Sequence, residues 1–110
     1  PSDRVALALD QRTATLAFNL SLFNDVSHFC GTGPLVAQWT GVEFVALDGA
    51  CTLTLSPGET SIRISATPMG ACQAQYCGAR AVIPVLDVPY SSKSSKISDP
   101  MAWNWMENGC

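Results

Sequence analysis

One histidine, five cysteines and nine carboxylates are the groups through which this 110-residue chain could do chemistry. Cys30, Cys51, Cys72, Cys77 and Cys110 are spaced by 21, 21, 5 and 33 residues. None of these gaps is the short C-x-x-C of a redox or zinc site, and His28 alone is too little for the usual Cys/His zinc sets. The spacing therefore predicts structural disulfides and no metal or other cofactor. His28 stands two residues before Cys30 on an apolar stretch, where packing or capping a turn is the ordinary role. Asp10, Asp25, Glu43, Asp48 and Glu59 fall at turns or strand ends, where acids are solvated, so no carboxylate pair of the glycosidase kind is evident. Gly31-Thr32-Gly33-Pro34 lacks the helix and lysine of a phosphate loop. Asn19-Leu20-Ser21 matches a glycosylation acceptor but lies within an expected strand. Without a nucleophile, base and charge-stabilising device, the chain reads as non-enzymatic.

Two stretches stand out as binding surface. In Tyr76-Cys77-Gly78-Ala79-Arg80 an aromatic, a half-cystine, a glycine and an arginine crowd together. Arg80 could there anchor an interface, the alternative being Tyr76 in the core and Arg80 in an internal ion pair. Ser91 to Lys96 offers Ser92, Lys93, Ser95 and Lys96 on a projecting loop able to enter an acidic cleft, the alternative being a solvated linker. A rival assignment, a carbohydrate or small-molecule module, would use Trp39, Tyr90, Trp103 and Trp105 as stacking platforms.

The elements that must position these residues are mostly strands. Hydrophobic residues make up 47% of the chain and charged ones 14%, which disfavours disorder and fits a single domain. A net charge of -3 with scattered basic residues excludes a nucleic-acid stripe. The uncharged stretch from 26 to 42 is broken by Gly31, Gly33, Pro34 and Gly41, so no membrane span is expected. Between residues 5 and 83 the pattern has period two. Val5, Leu7 and Leu9 share one side of a strand; after a turn at 10–13, Leu16, Phe18, Leu20 and Leu22 share one side of the next. An apolar segment follows at 35–39, then a strand at 42–47 ending at Asp48-Gly49. Cys51, Leu53 and Leu55 pair across a turn at 56–59 with Ile62, Ile64 and Ala66. A last long strand is expected over 71–83, and beyond Pro84 an exposed loop, with a tail from Met101 that the pattern leaves as strand or helix. The expected fold is all-β, a small antiparallel meander closing into a barrel or barrel-like sandwich stapled by disulfides, with a core over 1–88 and a loop and tail over 89–110. A chain turning at 68–70 brings Cys72 back to Cys51, which favours Cys51 with Cys72 and Cys30 with Cys77; Cys30 with Cys51 and Cys72 with Cys77 is the alternative. Cys110 is left over, and oligomeric state is open.

At Cys51-Thr-Leu-Thr-Leu and Cys72-x-x-x-Tyr76-Cys77-Gly78-x-Arg80, across residues 5–83, the chain resembles the periplasmic and membrane-bound inhibitors of c-type lysozyme. The resemblance implies a disulfide-bonded β-barrel whose loops occlude a wall hydrolase. The Ser-Gly-x-x-Tyr pattern of that family has no counterpart here, so no residue role is carried over. Periplasmic immunity proteins follow the same logic. The expected partner is thus a protein, a cell-wall-degrading hydrolase or secreted toxin; a mildly acidic surface would attract a basic one. The expected place is the bacterial periplasm or the exterior, after removal of a signal upstream of Pro1.

Overall fold

A computed structural model describes residues 4–25, 28–78 and 81–90, with backbone only at 23–25 and 28. The described residues form eight strands and one helix: β1 (Arg4–Asp10), β2 (Thr15–Asp25), β3 (His28–Gly31), β4 (Leu35–Trp39), β5 (Phe44–Asp48), β6 (Cys51–Pro57), β7 (Ser61–Thr67), α1 (Met69–Tyr76) and β8 (Leu86–Pro89). The strands form one antiparallel sheet in the order β1-β2-β4-β5-β6-β7-β8, curled into a half-barrel.

Register follows from the apolar rows. Val5, Leu7 and Leu9 lie opposite Leu20, Phe18 and Leu16, and Leu53 and Leu55 opposite Ala66 and Ile64, so each hairpin turns its large side chains to the same concave face. Phe18, Leu20, Leu22, Leu53, Leu55 and Ile64 are the largest fully buried apolar side chains there. Burying each contributes about 1.5–3 kcal/mol of transfer free energy.

The long strand β2 is shared. Residues 15–18 pair with β4 and residues 21–25 with β3 along the same edge, which leaves Leu20 between the two partners. Thr32 fills that gap: its N–H donates to the Leu20 carbonyl at 3.0 Å, and its hydroxyl accepts from the Leu20 N–H at 3.1 Å. The chain can thus leave β3 and return as β4 without stranding a backbone group.

Two expectations are corrected. The stretch 71–83 is not a strand: residues 69–76 form α1, and 81–85 carry no regular secondary structure, with Ala81 and Ile83 buried in the core. The reason is compositional, since Met69-Gly70-Ala71-Cys72-Gln73-Ala74-Gln75-Tyr76 holds no β-branched residue and several good helix formers. Beyond Pro84 the chain is not all loop. Leu86 and Val88 are buried and Asp87 and Pro89 exposed, the alternation of an edge strand that ends on a proline. Strand β8 therefore crosses the boundary expected after residue 88, and Tyr90 packs on the core.

The disulfides join Cys30 to Cys77 and Cys51 to Cys72, the pairs favoured by the turn at 68–70. They close separations of 47 and 21 residues, worth roughly 4 and 3 kcal/mol of lost chain entropy respectively. Replacing either pair by serine should lower the unfolding free energy measured in urea by about those amounts. At the β1–β2 turn Ala14 holds φ +54°, a left-handed conformation that disfavours a Cβ. Ala14→Gly should raise stability by up to about 1 kcal/mol in the same assay.

Candidate functional site

Antiparallel pairing sorts the turns to two ends of the half-barrel. At one end lie α1, β3, the β5–β6 turn and both disulfides. The β5–β6 loop is Gly49-Ala50, with Gly49 at φ +60°, the sign a II′ hairpin turn needs at its first loop position. A Cβ on Gly49 would also come within 2.7 Å of Gln75 Oε1. That close approach lets Gln75 Nε2 donate to the Asp48 carbonyl at 2.9 Å, while the Tyr76 hydroxyl donates to the Asp48 carboxylate. Burial raises the Tyr76 pKa, and the Asp48 carboxylate raises it further by accepting the proton's hydrogen bond and opposing phenolate charge.

At the other end lie the turns 11–14, 40–43 and 58–60, linked side by side. The Trp39 N–H donates to the Ala14 carbonyl at 3.0 Å, and Ser56 Oγ donates to Glu43 Oε1 at 3.1 Å. Tyr90 N–H and its hydroxyl donate to the carbonyls of Thr60 at 3.0 Å and Gly58 at 2.8 Å. The 40–43 turn is closed by Thr40, whose N–H and hydroxyl both donate to the Glu43 carbonyl. Three large apolar side chains remain exposed along this rim: Leu9 at 56%, Trp39 at 41% and Val42 at 78%. The Trp39 ring is backed by Phe44, centroids 4.8 Å apart and tilted by 55°. The same turns and the strand ends beside them carry Asp10, Glu43 and Glu59, and Arg12, the one described basic residue of these turns, lies 3.8 Å from the Asp10 carboxylate.

On the outer face, Arg63 grips Asp87 of β8 through two contacts, Nε to Oδ1 at 2.9 Å and Nη2 to Oδ2 at 3.2 Å. This bidentate hydrogen bonding raises the Arg63 pKa and holds the Asp87 carboxyl below its usual range. It joins the edge strand to β7 at a register pair, Arg63 opposite Asp87, with both side chains exposed.

Of the sequence-expected partner residues, only Tyr76 is described. It is half-buried, and its hydroxyl is committed to Asp48, so it ties α1 to a turn. Arg80, Ser92, Lys93, Ser95 and Lys96 lie outside the described residues, as do Trp103, Trp105, Cys110 and the His28 side chain. The segment 91–96 nevertheless follows directly on Tyr90, which is bonded to the 58–60 turn. The rim is not evident from sequence because the turns at 10–13 and 56–59 read as ordinary loop and Val42 as the start of a strand at 42–47, whereas β5 begins at Phe44; the local signals are the apolar rows running on to Leu9 and Trp39. Among the described residues no group of three His, Cys, Asp or Glu side chains gathers to hold a metal ion, and no helix is long and apolar enough to cross a membrane.

Fold and sites together define a disulfide-stapled, antiparallel half-barrel with one bound end and one open rim. No family model matches the chain, and neither the curated proteins nor the solved structures contain a match.

The Tyr76 geometry carries a pH dependence. Its folded pKa is raised, so the stabilisation is complete below the phenol's usual value of about 10 and is lost as pH rises through the folded value. Urea titrations from pH 8 to 12 should show wild-type stability falling above about pH 10 more steeply than that of Tyr76→Phe.

Proposed function

We propose that the protein is a non-enzymatic binding protein of an oxidising, extracytoplasmic compartment that blocks a cell-wall hydrolase, in the manner of a lysozyme inhibitor or an immunity protein. The observation that carries this reading is the rim: three hydrogen-bond-linked turns present Leu9, Trp39 and Val42 at the end of the sheet away from the disulfides. Such a surface, exposed apolar side chains with charged ones in the same turns, is the anatomy of a protein-binding patch. Glu43 and Glu59, with Asp10 paired to Arg12, leave the rim net negative, which would steer a basic enzyme towards it. The Ser/Lys segment 91–96, next in sequence after the rim residue Tyr90, would supply hydroxyl and ammonium donors suited to catalytic carboxylates. Two disulfides support the compartment, because such bonds persist where thiols are oxidised.

Inhibition constants measured against a panel of lysozymes, amidases and wall peptidases test the reading. At least one enzyme should be inhibited at micromolar concentration or better, more weakly as salt rises. Trp39→Ala or Val42→Asp should weaken that inhibition tenfold or more, about 1.4 kcal/mol, while Gln75→Ala at the stapled end should not. Absence of inhibition and of binding across the panel would refute it. Trp39 also keeps alive the glycan-module reading, since a half-exposed indole with Phe44 behind it is a usable stacking face. Saturable change of Trp39 fluorescence with wall glycans, without enzyme inhibition, would decide for that reading.

A further inference from the structure

The sheet has two edges among the described strands, and they are guarded unequally. Strand β8 is four residues long, ends on Pro89 and is joined to β7 through Asp87 and Arg63. Strand β1 is seven residues long and pairs with β2 alone, in unbroken register. It holds no proline, lysine or bulge, the devices that keep an edge from pairing with another chain, and its charges stand only at its two ends, Arg4 and Asp10.

The direction of its backbone groups follows from Thr32. The Leu20 N–H and carbonyl both turn to Thr32, on the side of β2 away from β1. Leu20 and its partner Val5 therefore exchange no hydrogen bonds, and the alternation of an antiparallel ladder extends this to Leu7 with Phe18 and Leu9 with Leu16. The N–H and C=O groups of Leu7 and Leu9 thus point out from the edge, and among the described residues nothing meets them. Exposure rises along the strand: Val5 and Ala6 are buried, Leu7 and Ala8 half-buried, and Leu9 is 56% exposed. The open stretch is 7–10, at the rim end.

We propose that a second copy of the chain pairs with this edge, β1 against β1 in antiparallel sense, about a two-fold axis at Ala8. In that register Leu7 of each copy exchanges both backbone hydrogen bonds with Leu9 of the other, and one sheet runs through both copies. The two Ala8 residues face each other at the axis, where Cα atoms stand about 4.5 Å apart and a small side chain suits the approach. Leu7 and Leu9 of opposite copies lie side by side on the concave face, which covers the exposed Leu9 side chain. The charges make the strand complementary to itself. Arg4 and Asp10 lie at opposite ends, so antiparallel pairing sets each Arg4 diagonally across from Asp10 of the other copy, about 7–8 Å away and within reach of a long side chain. Arg4 is exposed and makes no ion pair among the described residues, whereas a parallel arrangement would set Arg4 beside Arg4. Trp39 and Val42, on the β4–β5 hairpin, take no part in the pairing.

Sedimentation equilibrium of the full chain carrying Cys110→Ser, so that the fifth cysteine cannot link copies, tests the pairing. The mass should rise from one chain to two between micromolar and millimolar concentration. Ala8→Lys, which sets two ammonium groups face to face at the axis, should raise the dissociation constant tenfold or more while the circular dichroism spectrum stays unchanged. Arg4→Glu should raise it several-fold, and more at low salt than at high. Should Ala8→Lys fail to fold, Ala8→Cys gives a second readout: with glutathione disulfide as oxidant, residue 8 of an isotopically light chain should become linked to residue 8 of a heavy one. A chain that stays monomeric throughout the range would overturn the proposal. So would a dimer that Ala8→Lys leaves intact or that Ala8→Cys does not link, or a monomer whose edge takes up only an extended peptide of another sequence.

Discussion

The helix α1 has almost nothing of its own to hold it. It is eight residues long, Pro68 at its N-cap makes no side-chain capping bond, and its first and last turns hold no charge to complement the dipole. Its one fully buried residue is Cys72, and the residue that caps its C-terminus is Cys77. Both are half-cystines, so α1 is fastened to β6 at one point and to β3 at another by covalent bonds. Every other feature of that end depends on this. Gln75 and Tyr76 reach Asp48 only because Cys72 is pinned beside Cys51, and Gly78 N–H meets the Phe29 carbonyl because Cys77 is pinned beside Cys30.

Fixing one end has a consequence for the other. The hairpins β1–β2, β4–β5 and β6–β7 run from the stapled end and turn back at the rim, so the turns inherit their spacing from strands whose far ends are tied down. A recognition surface built from turns loses less entropy on binding when its scaffold is already ordered. The bonds that link turn to neighbour, from Trp39 to Ala14, Ser56 to Glu43 and Tyr90 to Gly58, continue that order around the rim. Rigidity at the rim is a property of the sheet and its cross-links together.

Much of this was legible in the residues themselves. The hairpin at 51–67 announces itself through alternating Leu/Thr and Ile/Ser flanking Pro57-Gly58, and a turn at 68–70 favours the cysteine pairing found without removing the alternative of Cys30 with Cys51 and Cys72 with Cys77. The helix was not legible, because Ala71 to Tyr76 alternates small and polar residues in a way that fits a strand as well as a short helix; the fixed positions of Cys72 and Cys77 decide between them. Strand β8 was hidden by the prolines at 84 and 89, although Leu86 and Val88 kept the period. The rim was illegible for a different reason: Leu9 stands on the β1–β2 hairpin and Trp39 and Val42 on the β4–β5 hairpin, and only the register of the sheet brings the two hairpins side by side. The pairing of β2 with both β3 and β4 likewise needs Thr32 to meet Leu20 twelve residues away, which no local pattern encodes.

The most direct test of the account is a disulfide map of the native, alkylated chain by mass spectrometry of its peptides without reduction. The account predicts one linked pair holding Cys30 and Cys77 and another holding Cys51 and Cys72. Recovery of Cys30 with Cys51 and of Cys72 with Cys77, or of all four as free thiols, would contradict it and release the helix from the end of the sheet that it is held to close.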